Sequence, residues 1–206
     1  MHPPIPPRRL TDRKRLAVIS AAVDEFLLAG FDVTSMDRIA ARAGVSKRTV
    51  YNHFPGKEAL FEESLLHLWN TSHTSAAPAF CVDLPLRPQL LELLLRKVRL
   101  SDNGALLSFA RVAIATGIHS PERARGLVAR LGEREEDLTV WMRAAAADAR
   151  LRIPDPSFAS QQLQGLVKAF AFWPQVAMGQ PPLSPAEQQQ VAESTADMFL
   201  ARYAVG

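Results

Sequence analysis

Residues 34–60 read TSMDRIAARAGVSKRTVYNHFPGKEAL, a segment in which two short helical patterns meet at a single glycine. The first pattern begins with the Thr-x-x-Asp run at Thr34, which is typical of a helix N-terminus. Gly44 ends this pattern, because glycine adopts the left-handed conformation without a Cβ clash, and Ser46 then caps the second pattern. Two short helices joined by a glycine-containing turn form a helix-turn-helix. The small or apolar residues on their inner faces are Ile39, Ala40, Ala43, Val50 and Phe54.

Helical patterns extend on both sides of this segment. Upstream, apolar residues at three- and four-residue intervals predict a helix over residues 11–29, with Gly30 as its C-terminal stop. Downstream, Pro55-Gly56 interrupts the chain before the next helical pattern. The expected organisation is a flexible basic arm at residues 1–10, a three-helix DNA-binding domain at 11–57, a linking helix at 57–76 and a larger helical domain at 77–206.

The amino-acid composition favours an all-α protein, with about nine helices expected from the periodicity. The 206 residues include 57 Ala and Leu against 28 Val, Ile and Thr, a twofold excess of good helix formers over β-branched residues. The single cysteine, Cys81, excludes an intramolecular disulfide framework and a cysteine-only zinc site. A reducing cytoplasm is the compartment that this cysteine usage indicates.

Positive charge is concentrated at the N-terminal end of the chain. Residues 1–60 contain ten Lys and Arg against six Asp and Glu, a net charge of +4, whereas the other 146 residues carry −1. This asymmetry favours an anionic partner for the N-terminal end, with DNA ahead of an anionic membrane. An excess of charge is, by itself, also typical of a solvated face.

The second helix of the predicted helix-turn-helix offers side chains that suit double-stranded DNA. In this motif the second helix enters the major groove, where its N-terminal residues meet base edges. Lys47 and Arg48 are donors to guanine or phosphate, and Thr49 offers a hydroxyl. Ser35 and Lys57, which begin the neighbouring helices, are placed to contact phosphates. The full candidate DNA-binding set is Ser35, Lys47, Arg48, Thr49, Tyr51, Asn52, His53 and Lys57.

The segment 34–60 closely resembles the DNA-binding domain of TetR/AcrR-type transcriptional regulators through its A-G-V-S-K-x-T-x-Y-x-x-F-x-x-K-E-x-L pattern. With the helix over 11–29, the resemblance covers about the first third of the chain. It implies approach to bases or their flanking phosphates by Lys47, Arg48 and Tyr51. It implies clamping of the DNA backbone by Ser35, Thr49, His53 and Lys57. The family commonly has Gly, Ala or Pro where Arg48 stands, so this long cation affects base specificity.

Beyond residue 87, leucine-rich helical patterns alternate with proline-containing breaks. We expect helices over 122–149, with Gly132 as a point of interruption, over 157–179, with a kink at Pro174, and over 185–203. The pattern from residue 121 to 203 resembles the C-terminal domain of the AefR-like subgroup of the same family. The residues that carry this resemblance are Ser120-Pro121, Arg150-Leu151-Arg152, Asp155-Pro156, Leu166 and Phe172-Trp173-Pro174.

The subgroup resemblance implies a regulatory domain that pairs in a homodimer through its last two long helices. Both helices carry apolar stripes, and two such helices from each subunit form a four-helix bundle. The alternative is that these stripes pack only within one chain. The candidate dimer residues are Leu163, Leu166, Val167, Phe170, Val191, Thr195, Met198 and Phe199.

A pocket for an unknown small-molecule effector is the usual companion of this family. The candidate lining is largely aromatic and apolar, as ligand pockets are, although each residue alone also fits a role in a core or an interface. Arg111, within an apolar stretch, suits either an acidic ligand or a neighbouring carboxylate. The candidate effector residues are Trp69, Phe109, Arg111, Trp141, Met142, Phe172 and Trp173.

Neither catalytic residues, nor a metal site, nor a cofactor is expected. The sequence has no Gly-x-x-x-x-Gly-Lys run, no Gly-x-Gly-x-x-Gly and no Gly-x-Ser-x-Gly, and its five histidines lack metal-ligand spacing. No segment has the apolar length of a membrane span. The family resemblance implies a bacterial, ligand-responsive repressor that binds a palindromic operator as a homodimer. The alternatives are a ligand-independent or partner-controlled DNA-binding protein and, with less support, a helical enzyme.

Overall fold

The computed structural model describes residues 10–72, 77–132 and 137–205. Within these ranges the chain forms no strand, and one isolated antiparallel bridge joins Leu151 to Ala204. A 3-10 turn, Leu100–Asp102, follows the helix that ends at Arg99. The α-helices of the described residues are α1 Leu10–Val33, α2 Met36–Ala43, α3 Lys47–His53, α4 Lys57–Ser72, α5 Leu86–Arg99, α6 Gly104–His119, α7 Pro121–Gly132, α8 Asp137–Ala147, α9 Pro156–Ala171, α10 Trp173–Ala177 and α11 Pro185–Tyr203. The prediction of an all-α chain is confirmed.

The described residues form eleven helices rather than about nine, because two of the expected long helices are each represented by two. The expected helix over 122–149, with Gly132 as its point of interruption, corresponds to α7, which ends at Gly132, and to α8; residues 133–136 lie outside the described ranges. In place of one helix over 157–179 there are α9 and α10, separated by Phe172 with φ −143° and ψ −61°. The expected kink at Pro174 is therefore a break that lies two residues earlier.

The break before Pro174 has a hydrogen-bonding cause. Proline has no backbone N–H, so the carbonyl of Phe170, four residues earlier, cannot receive the usual helical bond. The side chain of Gln175 replaces it, since its Nε2 donates to the Phe170 carbonyl at 3.1 Å. Pro174 itself lies in the first turn of α10, where no donor is needed.

Backbone packing divides the chain into two compact units. The first unit contains the residues up to Thr71 together with Ser108–Arg130, so that α7 and most of α6 pack in the same unit as the helix-turn-helix. Its core is aromatic: the Phe61 ring lies edge-on to Phe26 (4.9 Å between centroids) and stacks on Phe109 (4.8 Å). The segment 108–130, which falls inside the larger domain expected from the sequence, therefore belongs to the first unit.

The second unit contains Ser72–Leu107 and the chain from Leu131 onward. Its core is formed by α5, α8, α9 and α11, and its most deeply buried members include Leu90, Leu94, Leu138, Trp141, Met142 and Leu163. The last helix has a capping box, in which Ser184 Oγ accepts from the Glu187 N–H and the Glu187 carboxylate accepts from the Ser184 N–H. Pro185 occupies its first turn, as the sequence predicts.

No helix in the described part of the chain is both long enough and apolar enough to cross a membrane.

Candidate DNA-binding interface

The turn between α2 and α3 depends on the backbone of one glycine. Gly44 has φ +65° and ψ +33°, the left-handed conformation. Its N–H donates to the Ala41 carbonyl at 3.2 Å, and the Val45 N–H donates to the Ala40 carbonyl at 3.1 Å, which closes the C-terminus of α2. Nothing lies within 4 Å of the position a Cβ would take. The turn therefore requires glycine for its conformation and not for a close contact.

The N-terminus of α3 is capped by its own side chains. Ser46 Oγ accepts from the Thr49 N–H at 3.2 Å and lies 2.8 Å from the Thr49 hydroxyl oxygen. The cap is the one that the sequence predicts. Thr49, expected to contact the DNA backbone, therefore also helps to close the first turn of α3.

Helix α3 has one buried side and one exposed side. Val50 is fully buried and Phe54, the C-cap residue, is 2% exposed, so both anchor the helix in the first unit. Tyr51 is 47% exposed although it is a large aromatic residue. Most candidate residues of α3 are exposed, namely Lys47, Arg48, Tyr51 and Asn52. Thr49 and His53 are half-buried.

The two cations at the start of α3 have different surroundings. Lys47 Nζ lies 2.8 Å from Asp37 Oδ1 of α2, and this hydrogen bond and the carboxylate charge raise the pKa of Lys47. Arg48 has no carboxylate partner among the described residues. In the absence of DNA, Arg48 is therefore the more available of the two for base or phosphate.

The two candidates that begin neighbouring helices also have partners within the chain. Ser35 is the N-cap of α2, and its Oγ accepts from the Arg38 N–H at 3.3 Å. Lys57 Nζ donates to the carbonyls of Asp32 (3.1 Å) and Thr34 (3.0 Å). Since an ammonium group has three donors, Lys57 has one N–H left for a phosphate.

A buried carboxylate that the sequence does not single out holds α2 against α1. Glu25 of α1 is 4% exposed, and its two oxygens accept from Arg38 Nε (2.8 Å) and Arg42 Nε (2.7 Å). The hydrogen bond from Arg42 and the charges of both guanidinium groups lower the pKa of Glu25, although burial opposes this. The signal in the sequence is an acid beside the buried stripe of one helix and two arginines four residues apart on the next.

The end of α1 is closed by a threonine. Gly30 has φ +76°, which interrupts the helical conformation of α1 at the predicted stop. The hydroxyl of Thr34 lies 2.7 Å from the Gly30 carbonyl oxygen and 3.0 Å from that of Glu25. The hydroxyl has one hydrogen to donate, so it satisfies one of these two carbonyl groups at the interrupted end of α1.

The start of α1 lies beside the end of α3. The guanidinium of Arg15 stands 5.1 Å from the centroid of the Phe54 ring and pairs with the carboxylate of Glu63 on α4. Arg15 therefore packs on the C-cap residue of α3, while the Glu25 pairs hold α2 against α1.

The candidate effector residues are distributed over both units. In the first unit, Phe109 is fully buried against Phe61, Trp69 is half-buried and Arg111 is exposed. In the second unit, Trp141 and Met142 lie in the core, while the rings of Phe172 and Trp173 are 5.1 Å apart near the surface. A pocket described in the first unit is lined by none of these residues.

The candidate dimer residues divide into three groups by exposure. Four of them are buried in the core of their own chain: Leu163, Val167, Thr195 and Phe199. Leu166 and Val191 are half-buried. Phe170 of α9 and Met198 of α11 are 55% and 58% exposed. Part of each predicted stripe therefore packs within the chain, and part faces outward.

The described chain contains a helix-turn-helix whose second helix exposes polar side chains, and the rest of it is helical. These features are typical of the helix-turn-helix transcriptional regulators. Residues 18–64 match the family model for bacterial regulatory proteins of the tetR family. Residues 88–205 match the model for the C-terminal domain of AefR-like transcriptional repressors, which covers more than half of the chain. The chain belongs to the TetR family, and it is a DNA-binding transcription regulator and not an enzyme.

Similar proteins match this chain over nearly its whole length. A TetR family regulator from Pseudomonas syringae pv. tomato is 50% identical over 96% of this chain and 100% of that one, with a TM-score of 0.79. The flavonoid-responsive regulator FrrA is 28% identical over 94% of this chain and 98% of that one, with a TM-score of 0.75. The regulator RutR of Escherichia coli K12 is 41% identical over 64 residues, and this alignment spans only 30% of either chain.

Proposed function

We propose that this protein is a homodimeric repressor in the bacterial cytoplasm that binds a palindromic double-stranded DNA operator and leaves it when a small-molecule effector binds. The observation that carries the proposal is the two-sided α3, anchored by Val50 and Phe54 and exposing Arg48, Tyr51 and Asn52. In a helix-turn-helix this is the helix that enters the major groove.

The proposed contacts follow from exposure and pairing. Arg48 and Tyr51 meet base edges or their flanking phosphates, with Arg48 a bidentate donor to guanine. Lys47 leaves Asp37 to pair with a phosphate. Lys57 keeps its carbonyl partners and donates its remaining N–H to a phosphate. The other members of the interface, which contact the backbone, are Ser35, Thr49, Asn52 and His53.

The proposed dimer uses the outward-facing part of α9 and α11 in the second unit. Phe170 and Met198 are large apolar side chains that are more than half exposed, and a second copy of the chain would bury them. Leu166 and Val191 contribute their exposed fractions. Two-fold symmetry of the dimer predicts two half-sites one helical turn of DNA, or a multiple, apart.

The proposed release needs an effector that binds one state of the dimer better than the other, because only differential affinity shifts an equilibrium. Support comes from FrrA, a relative along nearly the whole chain whose name records a response to flavonoids. Trp141 and Met142 are packed in the core of the second unit. An effector site built from these two residues therefore requires that core to open.

The test is selection of bound duplexes from a random DNA pool by the full chain, repeated with a library of small aromatic and acidic compounds. We expect a palindromic consensus and at least one compound that lowers its recovery. Arg48→Ala should change the selected base at one position of each half-site. The preference for the wild-type base over the other bases at that position should fall by about 1–3 kcal/mol. Selection of no sequence above background would refute operator binding.

Two other outcomes separate the alternatives. A consensus without two-fold symmetry argues against the dimer while it leaves α3 as the recognition helix. A palindromic consensus that no compound weakens favours the ligand-independent or partner-controlled regulator.

A further inference from the structure

Two cations from different helices converge on the connection between α1 and α2. The α1–α2 connection is residues 31–35, which follow the interruption of α1 at Gly30. Phe31 of this segment is 3% exposed, and Lys57 Nζ of α4 lies 4.6 Å from the centroid of its ring. The guanidinium of Arg123, on α7, lies 4.7 Å from the same centroid. Both distances are within the range in which a cation is attracted to an aromatic face.

Arg123 also lies near two carboxylates. Its Nη1 lies 3.7 Å from Asp32 Oδ1, and its Nη2 lies 3.9 Å from Glu58 Oε1 in the first turn of α4. Exposed pairs at such distances contribute little individually. The same guanidinium lies over Phe31 and between two carboxylates, so its three contacts join α7 to the α1–α2 connection and to α4.

Arg123 belongs to a close-packed pair of helices. A Cβ at Gly117 of α6 would lie 3.1 Å from the Cβ of Ala124 of α7, so the two helices approach each other closely at this point. Eight residues earlier in α6, Phe109 stacks on Phe61 of α4. An open cleft of about 30 Å³, lined by Phe31, Phe61, Arg123 and Ala124 among others, remains between these elements.

We propose that Arg123 is a positioning residue for operator binding, through which the α6–α7 pair holds the α1–α2 connection in its DNA-binding conformation. The proposal rests on the proposed function. The connection leads directly into Ser35, the N-cap of α2, and α2 carries α3 through the Gly44 turn. A shift of α7 that withdraws Arg123 leaves Lys57 as the cation over Phe31 and beside Asp32, and the N-terminus of α2 is then held less firmly.

The test compares Arg123→Gln with Arg125→Gln, which removes the same charge from an exposed site on the same helix. The first measurement is backbone amide hydrogen exchange of residues 31–39 in the DNA-free protein. We expect faster exchange in this segment for Arg123→Gln alone, and wild-type exchange for Arg125→Gln. Arg123→Lys, which keeps the charge but not the planar group, should give an intermediate rate.

The second measurement is affinity for the selected operator, at a temperature well below the thermal midpoint of each variant. We expect Arg123→Gln to lose about tenfold, Arg123→Lys less, and Arg125→Gln under twofold. Wild-type exchange in Arg123→Gln, or equal affinity losses in the two Gln variants, would overturn the inference. Failure of the wild-type protein to bind any operator overturns the proposed function instead, and the exchange comparison still decides whether Arg123 holds the connection.

Discussion

Glu25 shows that the positive charge of the N-terminal end is partly used inside the protein. Arg38 and Arg42 are bound to its carboxylate, and Lys47 pairs with Asp37. A count of charges along residues 1–60 treats all of these groups as available to an anionic partner. The cation that the structure leaves for the major groove at the start of α3 is Arg48.

Glu25→Gln should destabilise the first unit by about 1–3 kcal/mol at pH 7, because the buried group keeps its shape but loses its charge-assisted hydrogen bonds. The folded-state pKa of Glu25 lies below the ordinary 4.5. Its stabilisation is therefore complete above that value and is lost as pH falls through the lowered pKa. Urea denaturation should give a lower free energy of unfolding for Glu25→Gln than for the wild type at neutral pH. The difference between the two proteins should shrink in acid.

The matched control for Glu25 is Asp24→Asn, which removes an exposed carboxylate whose contact with Arg42 is 3.9 Å. It should cost under about 0.5 kcal/mol. Equal losses in the two variants would show that burial between the arginines is not what makes Glu25 stabilising.

Lys57→Ala should weaken operator and unrelated DNA alike and reduce the salt slope of binding by about one, as expected for a phosphate contact. It should also lower the thermal midpoint, because the Asp32 and Thr34 carbonyls lose their donor. Fluorescence anisotropy across a salt series measures the first effect, with Arg125→Ala as the control for loss of charge. An unchanged salt slope would remove Lys57 from the interface and leave it a purely internal role.

The α2–turn–α3 element depends on the conformation of Gly44. Gly44→Ala should lower stability by about 1–2 kcal/mol, since a Cβ disfavours the left-handed region, although the space around it is open. Gly44→Asn should cost less, because Asn tolerates this region. Thermal unfolding measures both, and Gly104→Ala, at a glycine with open space and no positive φ, should be close to neutral. A harmless Gly44→Ala would show that the turn tolerates another conformation.

The breaks within helices show the limit of reading elements from periodicity. The apolar pattern continues through Phe172, so it predicts one helix where the structure has α9 and α10. Proline identifies the region of the break but not its position, because the end of α9 depends on how Gln175 replaces the missing donor to Phe170. Gly30 and Gly44, by contrast, interrupt their helices where the sequence places them.

Substitution of the outward-facing apolar residues by glutamate tests the proposed dimer. Phe170→Glu combined with Met198→Glu should convert the proposed dimer to a monomer in sedimentation and reduce operator affinity by about 100-fold or more, through loss of the second half-site contact. Val140→Glu, on an exposed apolar residue of α8, should leave both properties unchanged. Dimers that survive the double substitution would place the interface elsewhere.

The sequence by itself determined the all-α class, the helix-turn-helix and the family, because caps, a left-handed glycine and helical periodicity act over a few neighbouring residues. Only the tertiary structure decided which charged side chains are paired within the protein and which part of each apolar stripe faces inward. Arg15 meets Glu63, Glu25 meets Arg38 and Arg42, and Phe31 meets Arg123. These partners are far apart in the chain, and no local pattern encodes a contact that forms only when separate helices pack.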